Sequence, residues 1–338
     1  MTVTNEALWA SRTQKKNYIL NGGMTVSQEN GLTSSSVNGY YPVDQFFAFN
    51  SFAGVLNAAQ VASATPSGSP NRIRLTVGTA DTSVGASDNG GIIQSIEGYR
   101  ITDLLFGTSS AKIVVLRFGV RAPAGTYCVA FRNSGAARSY VAEYTISAGE
   151  ANTDVVKTVV VPGDQAGTWL TNNTLGVQIS WCIMSGTTYQ TTAGSWTSGN
   201  YIASPNQSNL MATVGNVFEL FDVGLYQGRV DPGFWVPDYV SELLLCQRYY
   251  ERTTFAGIFL GGGSFSQIYA PIYWVEKRGS ATAVLPASTN LAWTSAGAVT
   301  TPSTFSIGIS SVKSGYIMVS GSGLGGIIPF NLSLNARM

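Results

Sequence analysis

Residues 111–146, AKIVVLRFGVRAPAGTYCVAFRNSGAARSYVAEYTI, read as three β-strands separated by turn residues. In IVVLRF (113–118) nearly every side chain is apolar, which suits a strand covered on both faces. YVAEYTI (140–146) alternates instead. Val141, Glu143 and Thr145 point one way and Tyr140, Ala142, Tyr144 and Ile146 the other, so one face is dry and one wet. The same texture continues on both sides. DQFFAFNSFAG (44–54), RIRLTVGT (72–79) and GIIQSIEG (91–98) come before, and DVVKTVVVP (154–162), TLGVQISWCIMSG (174–186) and VFELFDVGLYQG (217–228) come after. Short strands at this spacing, bounded by Gly, Pro, Asn and Ser, predict an all-β protein built on a jelly roll or β-sandwich.

Composition agrees. Charged residues make up 11% of the 338 residues, against roughly 25% in an average soluble domain. Few Lys and Glu means few strong helix formers, while β-branched and aromatic residues are plentiful. Nineteen basic and eighteen acidic residues leave a net charge of +1, with no basic stripe to attract nucleic acid. No run reaches 18 apolar residues, so no membrane insertion is expected. The opening stretch has no apolar signal region. Cys128, Cys182 and Cys246 have no CxxC spacing and are read as buried apolar residues of a cytoplasmically made protein, in which the sequons at Asn173, Asn206 and Asn331 go unused.

The organisation predicted along the chain has four parts. Residues 1–17 form a polar arm whose apolar pair, Leu8 and Trp9, is suited to attachment to a larger particle. Residues 18–237 form the jelly-roll domain, β-patterned from Asn17 onward. Within it, IEGYRITDLLFG (96–107) spaces Ile101, Leu104 and Leu105 for one or two helical turns, and 187–213 is a long polar loop with aromatics. SELLLCQRYYER (241–252) lies in a joint over 238–252. Asp238 is placed to cap a short helix with Tyr239, Leu243, Cys246 and Tyr250 on one face, and Arg248 and Glu251 are close enough to pair. Residues 253–338 form a second, smaller β domain.

The chain lacks histidine, which removes Ser-His-Asp and Cys-His catalysis and His-type metal sites. GSGLGG (321–326) fits GxGxxG without a strand–helix context and reads as a tight glycine turn. Two carboxylates would suffice for a glycosidase. Asp44, Glu97, Asp103, Glu143, Asp154 and Asp164 are scattered, and Glu219 and Asp222, three apart on one strand, are expected to face opposite sides. No catalytic residue, cofactor or metal ligand is assigned, and a calcium ion on strand-end oxygens is left open.

Several segments carry a resemblance. NYILNGGMTV (17–26), YYPVDQF (40–46), residues 96–146, GTW (167–169), GNYIAS (199–204), NLMAT (209–213) and SELLLCQRYYER follow one another as in short bacteriophage fibre proteins. The resemblance covers 17–252 and weakens beyond, and the opening departs from the family in lacking a Trp-Gln pair. It implies a carbohydrate-binding-module-like jelly roll, a C-terminal β domain, a homotrimeric tail fibre and a place on the virion. Two functions fit: a non-enzymatic fibre that recognises a host-surface glycan, or a purely structural head or tail decoration or connector. Glycan contact calls for flat aromatics among short polar side chains. The candidates are Trp169, Tyr189, Trp196 and Tyr201 in the first domain and Trp293 in the second, beside Tyr273 and a core-facing Trp274.

Overall fold

A computed structural model describes residues 16–255, 265–284, 292–294, 299–300, 304–309, 311–327 and 330–338. Leu8 and Trp9 lie outside the described residues. The chain divides into two compact units, 1–239 and 240–338.

The first unit is a β-sandwich. In chain order its strands are β1 (Tyr40–Val43), β2 (Phe46–Ser51), β3 (Val55–Ala62), β4 (Asn71–Thr79), β5 (Asn89–Glu97), β6 (Val114–Arg121), β7 (Gly125–Asn133), β8 (Arg138–Ile146), β9 (Val155–Val161), β10 (Leu175–Ser185), β11 (Trp196–Ser198) and β12 (Val217–Gln227). One sheet runs β1-β2-β5-β10-β7-β8-β11 and the other β3-β4-β12-β6-β9. Side chains alternate as their sequences require. Phe46, Val129, Phe131, Ile179 and Trp181 from the first sheet meet Leu75, Phe118, Val120 and Phe218 from the second in one buried core. Trp181 is the centre: Phe118 stands 6.0 Å away edge-on and Phe46 6.1 Å away. The helical turns read at 96–107 are α1 (Gly98–Ile101) and a 3-10 turn, Thr102–Leu104.

Two expectations for this unit change. Residues 17–26 form no strand, although Tyr18, Ile19, Leu20, Met24 and Val26 are buried. Asn21 and Met24 adopt left-handed backbone angles that break any ladder. The Asn17 amide pairs instead with β12, accepting from Leu225 N at 2.9 Å and donating to Val223 O at 3.3 Å. Glu219 and Asp222 do not face opposite sides. A bulge in β12 between Phe221 and Gly224, with Asp222 at φ 49°, breaks the two-residue period. Asp222 then accepts from Thr65 and Ser69, while Glu219 binds Arg72, which itself donates to the carbonyls of Ser63 and Ala64. Both carboxylates therefore lie toward the same 63–69 loop.

The second unit begins with α2 (Tyr239–Gln247), followed by β13 (Tyr250–Phe255), β14 (Phe265–Tyr273), β15 (Thr282–Val284), β16 (Ala292–Thr294), β17 (Val299–Thr300), β18 (Thr304–Ile309), β19 (Ser314–Ile327) and β20 (Phe330–Asn335). One sheet is β13-β20-β15; the other is β14-β19-β16-β17, with β18 also paired to β19. Ile268, Ala270, Ile272, Trp274, Ile317, Val319, Leu332 and Leu334 form its core. The glycines of 321–326 make no turn, because they lie inside β19, whose register against β16 shifts beside them. The face predicted for the helix holds at Cys246 and Tyr250, which are buried, and fails at Tyr239, which is exposed; Val240, Leu244 and Leu245 are exposed as well, and Glu242 is buried. Glu251 pairs with Lys277 at 2.6 Å, a partner contributed from beyond the segment that holds Arg248.

Candidate functional site

Two of the predicted aromatics, Tyr189 and Tyr201, gather at the outer face of the seven-stranded sheet. There Cys128, Ala130, Val141 and Cys182 point away from the main core, yet they are not wet. Ile202 and Ala203 of the long loop cover them, flanked by half-buried Phe49, Tyr189, Ala193 and Tyr201. This corrects the reading of Val141 as solvent-facing; Glu143 and Thr145 on the same face are exposed. The loop is strapped down by its own backbone: Gly194 N donates to Val141 O, Ile202 N to Tyr189 O, and Tyr201 N to Ser139 Oγ. Burial pushes the Cys128 and Cys182 thiols up in pKa, as for inert packing residues.

Beside this cover sits Arg132, 9% exposed. Its guanidinium donates to Asn200 Oδ1, Gln178 Oε1 and Ser180 Oγ, all neutral, and Nε has no partner. Burial lowers its pKa to about 10. It holds Asn200, and thus the loop beside Tyr201, against the sheet.

Trp169 and Trp196 pack against each other at the sandwich edge, with ring centroids 5.4 Å apart and planes at 84°. Phe106 meets Trp169 edge-on at 4.9 Å, and Tyr140 lies 5.4 Å from Trp196. Trp169 Nε1 donates to Ala166 O and Trp196 Nε1 to Pro162 O. Trp169 is buried, Trp196 is half-buried, and both pin loops to strands.

In the second unit the arrangement is reversed, with aromatics standing outward. Strand β14 alternates cleanly: Ile268, Ala270 and Ile272 are buried, while Tyr269 is 58% and Tyr273 77% exposed. Across the sheet, Tyr316 of β19 is the register partner of Pro271 and is 43% exposed. The Tyr269 and Tyr316 rings are 5.8 Å apart. On the far side Tyr316 faces Gly308 of β18, and a methyl group there would fall within the tyrosine ring. Glycine thus lets the ring lie low on the sheet. The outward positions of these three strands, Gln267, Tyr269, Pro271, Tyr273, Ser314, Tyr316, Met318, Ser306 and Gly308, include no charged residue. Trp274 is a core residue whose Nε1 donates to Val312 O at 2.9 Å. Trp293 lies in β16 opposite Gly326, and its side chain falls outside the described residues. Sequence reasoning passed over Tyr269 and Tyr316; the two-residue period of QIYAPIY marks the first, but only strand pairing reveals the second.

The carboxylates are engaged in structure. Asp164 binds Arg138 at 2.6 Å, and Asp154 and Glu219 bind Arg72 at 2.8 and 2.9 Å. No group of three potential metal-ligating side chains occurs among the described residues.

Neither a protein-family model nor a curated protein matches the sequence. Several solved structures resemble it weakly. The enzymatically active domain of bacteriophage CBA120 tailspike protein 4 aligns over 63% of this chain and 21% of its own, with 10% identity and a TM-score of 0.34. The family 11 carbohydrate-binding module of the cellulase Lic26A-Cel5E of Clostridium thermocellum aligns over 60% of this chain and 99% of its own, with 10% identity and a TM-score of 0.30. TmCBM61, solved with β-1,4-galactotriose, aligns over 63% and 99%, with 9% identity and a TM-score of 0.30.

Proposed function

We propose that the chain is a non-enzymatic virion fibre protein of a bacteriophage that recognises a glycan on the host surface. The observation that supports this most directly is the uncharged outer face of β14, β19 and β18. Three exposed tyrosines, one held low over a glycine, stand there among serine and amide side chains. Tyrosine rings offer flat apolar area to sugar C–H surfaces at small entropic cost, and their hydroxyls reach sugar oxygens.

In this reading the protein acts as a homotrimer, and the arm carrying Leu8 and Trp9 joins it to other tail or capsid proteins. The outward apolar face of α2 supports self-association, because Val240, Leu244 and Leu245 are exposed while the helix's one acid is buried. Sedimentation at micromolar concentration checks the trimer; a monomer rejects it. Deleting residues 2–15 should leave a folded protein that no longer enters virions.

The glycan reading is tested with purified protein on host cells and on an array of bacterial surface polysaccharides. Replacing Tyr269, Tyr273 and Tyr316 together by alanine should abolish adsorption with unchanged melting. Undiminished adsorption by that variant overturns the reading and leaves the structural connector in its place.

A further inference from the structure

A cavity of about 290 Å³ opens beside the tyrosine face, lined by Thr253, Thr254, Phe255, Pro271, Ile272, Tyr273, Trp274 and Leu332. Its position follows from topology. Among the described residues β13 is the edge of one sheet and β14 the edge of the other, each paired on one side only. The space between these two edges is floored by the buried core residues Phe255, Ile272, Trp274 and Leu332. Exposed Tyr273 stands at its rim.

The lining decides what fits. None of these side chains is charged, so an ionised ligand would lose its hydration without gaining a counter-ion. The floor offers apolar surface only, since its one polar side-chain group, Trp274 Nε1, is committed to Val312 O. Hydrogen bonding comes from the walls, from the Thr253 hydroxyl and from backbone groups along the free strand edges. The volume lies at the lower end for small-molecule sites, which run from roughly 300 to 1,000 Å³. It has room for a substituent of a sugar and is too small to seat a helix or a strand of another chain.

We propose that this cavity receives a methyl-bearing substituent (N-acetyl, O-acetyl or 6-deoxy) of an uncharged sugar whose ring lies on Tyr273. The inference rests on the glycan reading above and adds the class of sugar. The methyl group enters between the sheets against Trp274 and Phe255, while the ring stays outside, its hydroxyls toward Thr253 and the strand edges.

Matched pairs test it: N-acetylglucosamine against glucose, and L-fucose against L-galactose, titrated into the full-length protein by saturation-transfer NMR. The methyl-bearing member of each pair should bind about tenfold more tightly, the usual worth of one apolar group in a fitted pocket. Its methyl protons should show contacts to the Trp274 and Phe255 rings. Leu332→Phe, which fills the cavity from its floor and touches no group assigned to the sugar ring, should remove the difference within each pair while leaving the plain sugars bound. The contact measurement uses the unaltered protein and so does not depend on that variant folding. Equal affinity within both pairs, with Tyr273→Ala abolishing all binding, overturns the cavity assignment but keeps the glycan reading. Binding indifferent to Tyr273→Ala, or no binding of any sugar, overturns both.

Discussion

Lys277 Nζ lies 2.6 Å from Glu251 Oε2, and the lysine is only 1% exposed. The same Nζ donates to Gln247 O at the end of α2, and Glu251 Oε2 also accepts from Val275 N. One buried ion pair thus joins the helix, strand β13 and the segment after β14. Burial pulls the Lys277 pKa below its ordinary value even with Glu251 beside it.

Removing either partner strands the other's charge. Glu251→Gln or Lys277→Met should each destabilise the second unit by about 3–5 kcal/mol, whereas replacing both with apolar residues of similar size should restore most of the loss. Amide exchange across β13 and β20 reads the effect within that unit. An additive double variant would show that the pair is not coupled.

Gly308→Val should drive the Tyr316 ring off the sheet, because the added carbons overlap the ring. The strand keeps its pairing, so melting should move little while glycan affinity falls by about 1–3 kcal/mol, by analogy with other aromatic stacking contacts. Titration of the variant against the surface polysaccharide checks this. Unchanged affinity would detach Tyr316 from the site.

Trp196→Ala should act on stability first. The ring packs on Trp169, Phe106 and Tyr140, and its loss should cost about 3–5 kcal/mol, as for other large aromatics cut back to alanine. Adsorption by the fraction still folded should be near normal. Selective loss of adsorption with unchanged melting would make Trp196 a contact residue.

Asp103 gives the first unit a pH signature. Burial raises its pKa, but the Tyr18 hydroxyl at 2.7 Å and Lys16 Nζ at 3.0 Å outweigh this and hold it below 3.8. A depressed carboxylate contributes stability above its unfolded pKa and loses it as pH falls through the folded value. The melting gap between the natural protein and Asp103→Asn should therefore be full above the unfolded carboxylate range and close as pH falls below it. Tyr18 is shifted upward, chiefly by burial, so its contribution is lost as pH rises beyond the unfolded tyrosine value of 10.0. The acid-side effect is small, since the Asp103 side chain is 49% exposed.

The strands were legible because their periods were clean. From Val114 to Phe118 IVVLRF lies buried in β6, with Ile113 half-buried just before it, and the alternation of YVAEYTI recurs in β8 apart from Val141. Val141 failed because a residue's cover can arrive from anywhere: Ile202 and Ala203 shield it from sixty positions away, in a loop whose polar composition hides an apolar underside. Asp222 failed because a single left-handed residue reverses a strand's facing, and aspartate gives no warning of it. The tryptophans drew attention as the largest aromatics, yet size favours burial, so Trp169 went inside. The smaller tyrosines of β14 and β19 were left standing in solvent.

Each unit is closed by its last strand. Tyr18 N bonds Leu225 O in the first, and in the second β13 runs beside β20, from Tyr250 opposite Asn335 to Phe255 opposite Phe330. On a ribosome this sets the timetable of folding. The first module must wait for β12 to emerge, and in the second β13 waits for β20, its ladder partner among the described residues. Such distant pairings are slow to form. During that interval β13 is an open edge near identical nascent chains, so a chain cut short before β20 should yield aggregate rather than a folded second unit.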